Sequence, residues 1–415
     1  MIARRATVIG GVLLAAACVE RVSAPGHCPS FCPSGQIQTV DTVLTDVISR
    51  DSTYRGYVTA PHAPVILAAD LPGFVEGRGI VRFNGYGARM RLGTTDTTTG
   101  AILSADSARL QLTVARRDTG AHNLTLAFYR LPITIDSTTT FADLAGPFTD
   151  SLVKRVNLDT LLARPGRKDT LTGDSVVVDT TNHVLVLHLK FDTAAARYLG
   201  ADSGTVAYGV AVSADSLASI GITKATLAWQ WYVRVDSAGT PVARTPGSLG
   251  AAFASFVFNP PAPPLDSTLA VGGVPSARSI LRVAFPRFIR DSSQIIRGTL
   301  ILVPAAPVQG APSDSFVVEA HTVFTDVGAK SPVIVDATRT DTAVIHAGVS
   351  DTVQIEVTNL MQFWASDTTR ATTLVLRPKS EATSFSLIRF YPSAAQAFRP
   401  ALRITFVRRF PFGAP

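Results

Sequence analysis

Charge, cysteine and long apolar runs are scarce in this chain. Asp, Glu, Lys and Arg make up only 17% of 415 residues against 46% hydrophobic, which excludes a disordered, highly charged protein for the bulk. Cysteine is confined to Cys18, Cys28 and Cys32, so no disulfide ties the body of the chain. No stretch keeps helical periodicity for long. The sequence also lacks a G-x-S-x-G elbow, an H-E-x-x-H helix and a G-x-x-x-x-G-K phosphate loop. Its 7 histidines are scattered. His183 and His188 lie an odd number of residues apart on what reads as a strand, so they point to opposite faces and do not share a metal. Asp is abundant, but mostly in Asp-Thr and Asp-Ser pairs, whose ordinary use is to cap turns by bonding their own backbone. No nucleophile, base and orienting group converge, so the expectation is no catalytic residue, no cofactor and no metal, with an unrecognised hydrolase as the third-ranked function.

The formal net charge is +7, and it falls to +5 once Arg4 and Arg5 are lost with an N-terminal signal. No basic run exceeds Arg408-Arg409, so nucleic-acid binding has no concentrated footprint.

What the chain does have is alternation. Leu110, Leu112 and Val114; Leu124, Leu126 and Phe128; Leu185, Leu187 and Leu189; Leu227, Trp229, Trp231 and Val233; and Phe253 to Phe258 each read as a strand with one wet face. Turn clusters such as Thr94 to Gly100 and Asp202 to Gly204 separate them, the pattern of antiparallel sandwiches. The fold class expected is therefore all-β, two tandem antiparallel jelly-roll-like β-sandwiches. A length of 415 residues exceeds what one core organises, and Asn259 to Thr268, with Pro260, Pro261, Pro263 and Pro264, marks the boundary. The expected domains are 40–258, with an insertion near 138–174, and 269–410, joined by the linker 259–268.

The halves repeat each other weakly. Ile80 to Phe83 matches Ile280 to Val283, the Leu110 strand answers to Leu300 to Val303, and the Leu124 strand to Phe316 to Ala320. Val184 to Leu189 matches Val353 to Val357, and Phe253 to Phe258 matches Leu402 to Phe406, with the order preserved.

Residues 1–17 read as an export signal: Arg4 and Arg5, then Ala6 to Leu14, an apolar core too short to span a bilayer, then Ala15 to Ala17. Cys18 follows, where a bacterial lipobox puts the cysteine that becomes diacylated; Ala15 departs from the usual leucine. Ordinary signal cleavage nearby is the alternative. A lipid there makes the chain an anchored envelope protein, with 18–39, rich in proline and glycine, as its tether. Cys28 and Cys32 then form an even pair suited to a small disulfide loop; metal binding with His27 is the alternative, short of a four-ligand zinc set.

The end of the chain carries the most specific wording. Val353, Ile355 and Val357, then Leu374 to Leu376, Phe385 to Tyr391 and Leu402 to Phe406 read as four strands, with Pro378 and Pro392 marking strand ends. Asn359, Leu360 and Trp364, then Leu374 to Pro378, Phe390 to Ser393 and Pro400 to Phe406, resemble the DNRLRE family of extracellular bacterial β-sandwich modules. The resemblance is confined to this end. It implies a non-catalytic cell-surface module, some relatives being associated with polysaccharide.

Trp229 and Trp231 share a face with Leu227, Val233 and Val235, which argues for core rather than a sugar-stacking platform. The opposite face carries Gln230, Tyr232 and Arg234, and Arg389 and Tyr391 stand similarly beside Ile388 and Phe390; these five are the candidate ligand face, a solvated outer face being the alternative. The function expected is a cell-envelope lipoprotein, on the outer membrane, acting as a binding or adhesion module for polysaccharide. A purely structural spacer is the second reading. The partners are then the membrane, through the lipid, and extracellular polysaccharide or other envelope components.

Overall fold

The alternating runs become strands almost wherever they occur. In the computed structural model, residues 39–408 are described apart from 86, 93–97, 193–203, 263–265, 313 and 329–333. The chain divides into two compact units, Met1–Thr39 and Val40–Pro415, and the second holds nearly all the described structure. Before the proline cluster come β1 (Thr39–Leu44), β2 (Ile48–Arg55), β3 (Val65–Leu71), β4 (Val75–Phe83), β5 (Arg89–Arg91), β6 (Thr99–Arg117), β7 (Thr125–Leu131) and β8 (Leu152–Asn157). β9 (Ser175–Asp179), β10 (Val184–Asp192), β11 (Val206–Ser213), β12 (Ala218–Thr223), β13 (Ala228–Ser237), β14 (Thr240–Arg244) and β15 (Leu249–Asn259) follow. Beyond the cluster are β16 (Leu269–Gly272), β17 (Ala277–Val283), β18 (Ser293–Leu302), β19 (Ser315–Thr325), β20 (Ile334–His346), β21 (Val353–Glu356), β22 (Thr373–Pro378), β23 (Leu387–Phe390) and β24 (Ala401–Arg408). The fold is all-β. Its helices are short, among them α1 (Ala145–Asp150), α2 (Leu158–Leu162), α3 (Arg287–Ser292) and α4 (Thr358–Ala365).

The pairings repeat. In the first half β3–β4, β3–β12, β4–β11, β11–β7, β7–β8, β6–β10 and β6–β13 are antiparallel ladders. In the second half β16–β17, β16–β23, β17–β22, β22–β19, β19–β20, β18–β21 and β18–β24 repeat them one for one, also antiparallel. Four of the matches read from sequence, β4 with β17, β6 with β18, β7 with β19 and β10 with β21, fall on equivalent strands. The fifth does not: β24 corresponds by pairing to β13, and Phe253 to Phe258 lie in β15, which flanks β4. Alternating apolar strands look alike in sequence, and only their partners tell them apart.

Four of the remaining strands close the sheets in crosswise fashion, while β5 and β9 pair with β6 and β10. β14 and β15 pair with β13 and β4 in the first half. The equivalent places beside β24 and β17 are taken by β1 and β2, from the opposite end of the chain. The sequence reading opens the first domain at 40; the structure instead puts β1 and β2 into the sheets of the second half, where Val47 and Ile48 join its core. In the first half the path β3–β4–β15–β13–β6–β12 returns on itself, a closed six-stranded ring, whereas the second half keeps a 4-stranded and a 7-stranded sheet apart.

Each half has one large core. The first gathers Phe83, Leu110, Phe128, Phe191, Tyr208, Trp229 and Trp231. Both tryptophans are 0% exposed and meet edge to face at 5.3 Å, so the alternation that put them inside was a core signal. The stretch 138–174 carries α1, β8 and α2; β8 pairs with β7, and Phe148 of α1 lies where a Cβ on Gly209 would stand 2.3 Å from its ring. Only glycine leaves room for that ring.

The second core lies between its two sheets, with Leu281, Leu374, Leu376, Val318 and Ile388 from the larger and Leu300, Ile355, Leu402, Ile404 and Phe406 from the smaller. The four strands expected at the end of the chain are β21 to β24. Asn359, Leu360 and Trp364 sit on α4, whose Leu360, Met361 and Trp364 are buried, and Trp364 Nε1 donates to Thr322 Oγ1 at 2.9 Å.

Candidate binding cavity

A tight turn builds the site. The hairpin between β16 and β17 runs Val271-Gly272-Gly273-Val274-Pro275, and Gly272 and Gly273 take φ of 97° and 71°, the left-handed region that suits glycine. A Cβ on Gly272 would stand 2.5 Å from Ser386 O, so the turn lies directly against the chain entering β23. Cross-strand neighbours share a sheet face. Ala270 faces Arg389 of β23 and Ala277 faces Arg55 of β2, while Ala270, Ala277 and Leu387 cluster together. Two guanidinium side chains therefore rise from one face whose intervening residues are small.

Above this face is a cavity of about 290 Å³ at the junction of the two halves, with Arg55, Arg389, Gln309, Phe74, Phe258 and Phe385 in its lining. Phe258 and Phe385 meet edge to face at 5.6 Å and form an apolar wall. Burial, reinforced by the Arg389 charge, pushes the Arg55 pKa down, and Asp266 opposes this. Arg389 Nη1 stands 3.7 Å from Asp266 Oδ2, a long ion pair. Burial works against the Asp266 carboxylate, but hydrogen bonds from Thr268 and the Arg389 charge hold its pKa below the usual value.

Of the five residues singled out in the sequence, Arg389 alone lines this cavity. Tyr391 meets Phe398 at a tilt with ring centroids 5.4 Å apart, and its N–H donates to Val303 O. Gln230 and Tyr232 are half-buried and Arg234 exposed on the outer face of β13, with Gln230 Nε2 donating to Pro246 O at 3.2 Å and Arg234 Nε 3.0 Å from Asp106 Oδ2. They do not adjoin Arg389, because β13 and β23 belong to different sheets. Arg55, Gln309 and the phenylalanine wall were not picked out in the sequence. The prolines from 260 were visible only as a linker, and Arg55 sits among polar residues of β2.

Other polar clusters serve the fold. Asp136 accepts from Thr138 N, Asp169 from Leu171 N and Thr172 N, Asp179 from Thr181 N, and Asp367 from Thr369 N. These carboxylates cap their own turns. Buried His321 lies 2.9 Å from Glu319 Oε2 and 3.1 Å from Arg377 Nε through its Nε2, and its Nδ1 is 3.1 Å from Asp336 O, tying β19, β20 and β22 together. Among the described residues no group of three or more His, Cys, Asp or Glu is placed to hold a metal ion, and no helix is long and apolar enough to cross a membrane. Cys18, Cys28 and Cys32, with the signal and tether, lie outside the described residues.

No protein-family model matches the chain, and no curated protein matches it. A solved chain described as BspA_C_mut aligns over 84% of this chain and 91% of its own at 8% identity with a TM-score of 0.13, too low a likeness to carry an argument.

Proposed function

We propose that this chain is a non-catalytic binding or adhesion module of the bacterial cell envelope, with polysaccharide as its ligand. The observation that carries the reading is the cavity between the halves, where two arginines and an amide stand against a wall of aromatic rings: groups that recognise rather than transform. The duplicated pairings support tandem jelly-roll-type sandwiches, and the residue wording of the chain's end supports a DNRLRE-like second one. The N-terminal pattern supports export to the outer membrane on a lipid attached to Cys18, with Cys28 and Cys32 paired in the tether. Acyl chains found by mass on a Cys18→Ser protein would place the anchor elsewhere.

A glycan array at low salt, probed with the whole chain, tests the reading. Binding to a defined class of polysaccharide is expected. Silence across the array would replace the module with a structural spacer, and turnover in a hydrolase screen would replace it with an enzyme.

A further inference from the structure

We propose that the cavity between the halves seats a single sugar ring, the terminal or branch residue of a glycan. Phe74, Phe258 and Phe385 take the C–H face of the ring, and Gln309 and Arg389 take its hydroxyls. This deepens the binding-module reading and rests on it.

The aromatic wall is rigid. A Cβ on Gly77 would stand 2.7 Å from the Phe385 ring, so that ring, carried by the second half, is seated directly on β4 of the first. Phe256 and Phe258 meet it edge to face at 5.7 and 5.6 Å. A wall held in place before the ligand arrives has little ordering left to lose on binding. Phe74 and Phe258 are half-buried and complete the apolar side of the lining.

The polar groups are collected on another side. Gln309 lies opposite Leu387 across an antiparallel bridge, and Arg389 stands two residues along β23, so both rise from one sheet face. The backbone of Gln309 exchanges hydrogen bonds with Leu387 at 2.9 and 3.0 Å, whereas its side-chain amide has no hydrogen-bond partner among the described residues. The charge of Arg389 is already opposed by Asp266 at 3.7 Å, so what it offers a ligand is N–H donors more than net charge. A plain hydrocarbon ring would satisfy the wall and leave a half-buried amide without a partner, and a ringless polar molecule would do the converse. A pyranose does neither, because its C–H groups make an apolar face and its hydroxyls ring the rim. Size then fixes the number of residues. A cavity of roughly 150 Å³ takes a benzene ring, so one of about 290 Å³ takes one substituted pyranose and not a run of them.

Saturation-transfer NMR and calorimetry on the full chain test the site, with methyl α-D-mannoside, methyl β-D-galactoside and methyl α-L-rhamnoside as probes and toluene as a ring without hydroxyls. At least one glycoside should bind more tightly than toluene, with saturation strongest on its ring C–H protons. Phe258→Leu keeps the apolar bulk without the ring face and should weaken that glycoside by about fivefold. Gln309→Ala should weaken it by about fivefold and leave toluene unchanged, while Gln230→Ala, outside the cavity, changes neither. Should Phe258→Leu fail to fold, Gln309→Ala carries the test alone, since the hydrogen bonds of Gln309 to the fold are made by its backbone. Di- and trisaccharides ending in the same residue should gain less than about threefold over the methyl glycoside, and a gain of about tenfold per added residue would replace the end-reading cavity with a groove. Toluene as tight as every glycoside, glycoside binding that survives the double Phe258→Leu, Gln309→Ala change, or no binding of any of the three probes would each overturn the site. Polysaccharide binding retained by the double variant would sink the site and spare the module; glycoside binding without any polysaccharide binding would do the reverse.

Discussion

Ile404 and Arg403 are adjacent on β24 and experience opposite surroundings. Ile404 is 0% exposed, inside the core between the two sheets; the Arg403 side chain is 58% exposed and forks onto Asp41 across the outer face. Ile404→Ala removes three carbons, worth about 2.4 kcal/mol in transfer free energy at ~0.8 kcal/mol each. The cavity left behind raises the cost, within a range of roughly 2 to 5 kcal/mol for such truncations. The surroundings point to the middle of that range. Ile404 pairs with Gly298 of β18, and the space above that glycine is filled by Met361, whose Sδ stands 2.2 Å from where a Cβ would be. A methionine is flexible enough to slump into part of the void, so a loss of about 3 kcal/mol is expected. With a urea dependence near 3 kcal/mol/M the midpoint should fall by about 1 M. Arg403→Ala should leave the midpoint unchanged, since exposed ion pairs are screened by water and salt. Urea melts of both variants in the full chain, followed by circular dichroism, make the comparison. Equal losses would mean β24 is buried on both faces, and an exchange of the two outcomes would mean its register is shifted by one residue.

Two further outcomes follow from the same geometry. Asp326 accepts a fork from Arg282 at 2.7 and 2.9 Å and hydrogen bonds from Thr373 Oγ1 and Gly328 N, and the Arg282 bonds foremost hold its pKa down to about 2. A folded pKa below the unfolded one stabilises the fold fully above about pH 4, and that contribution is lost as pH falls toward 2; Asp326→Asn should therefore be less stable at neutral pH and show a flatter decline between pH 4 and 2, parallel urea-midpoint profiles refuting the assignment. Deleting residues 40–55 strips β17 and β24 of their outer neighbours, so amides of β16–β24 should lose hydrogen-exchange protection while those of β3–β15 keep it, and uniform loss or uniform retention would refute the crosswise closure.

The sequence by itself determined the all-β character, because a period of two in apolar residues admits little else. It determined most of the inward faces as well: Ile355, Val357, Leu374, Leu376, Leu402 and Ile404 are all fully buried, Val353 at the start of β21 is half-buried, and Trp229 and Trp231 lie in the core of their half. Burial of one face follows from composition along a single strand. Partnership between strands does not, since a ladder is made by backbone groups that every residue carries. Only the tertiary structure decided that β1 and β2 complete the far half, that β13 rather than β15 is the counterpart of β24, and that Arg55 and Arg389 line one cavity. The two arginines lie more than three hundred residues apart in sequence. Residues so far apart share a cavity only once the strands β2 and β23 and a glycine turn have brought them together, and no local pattern of residues records that event.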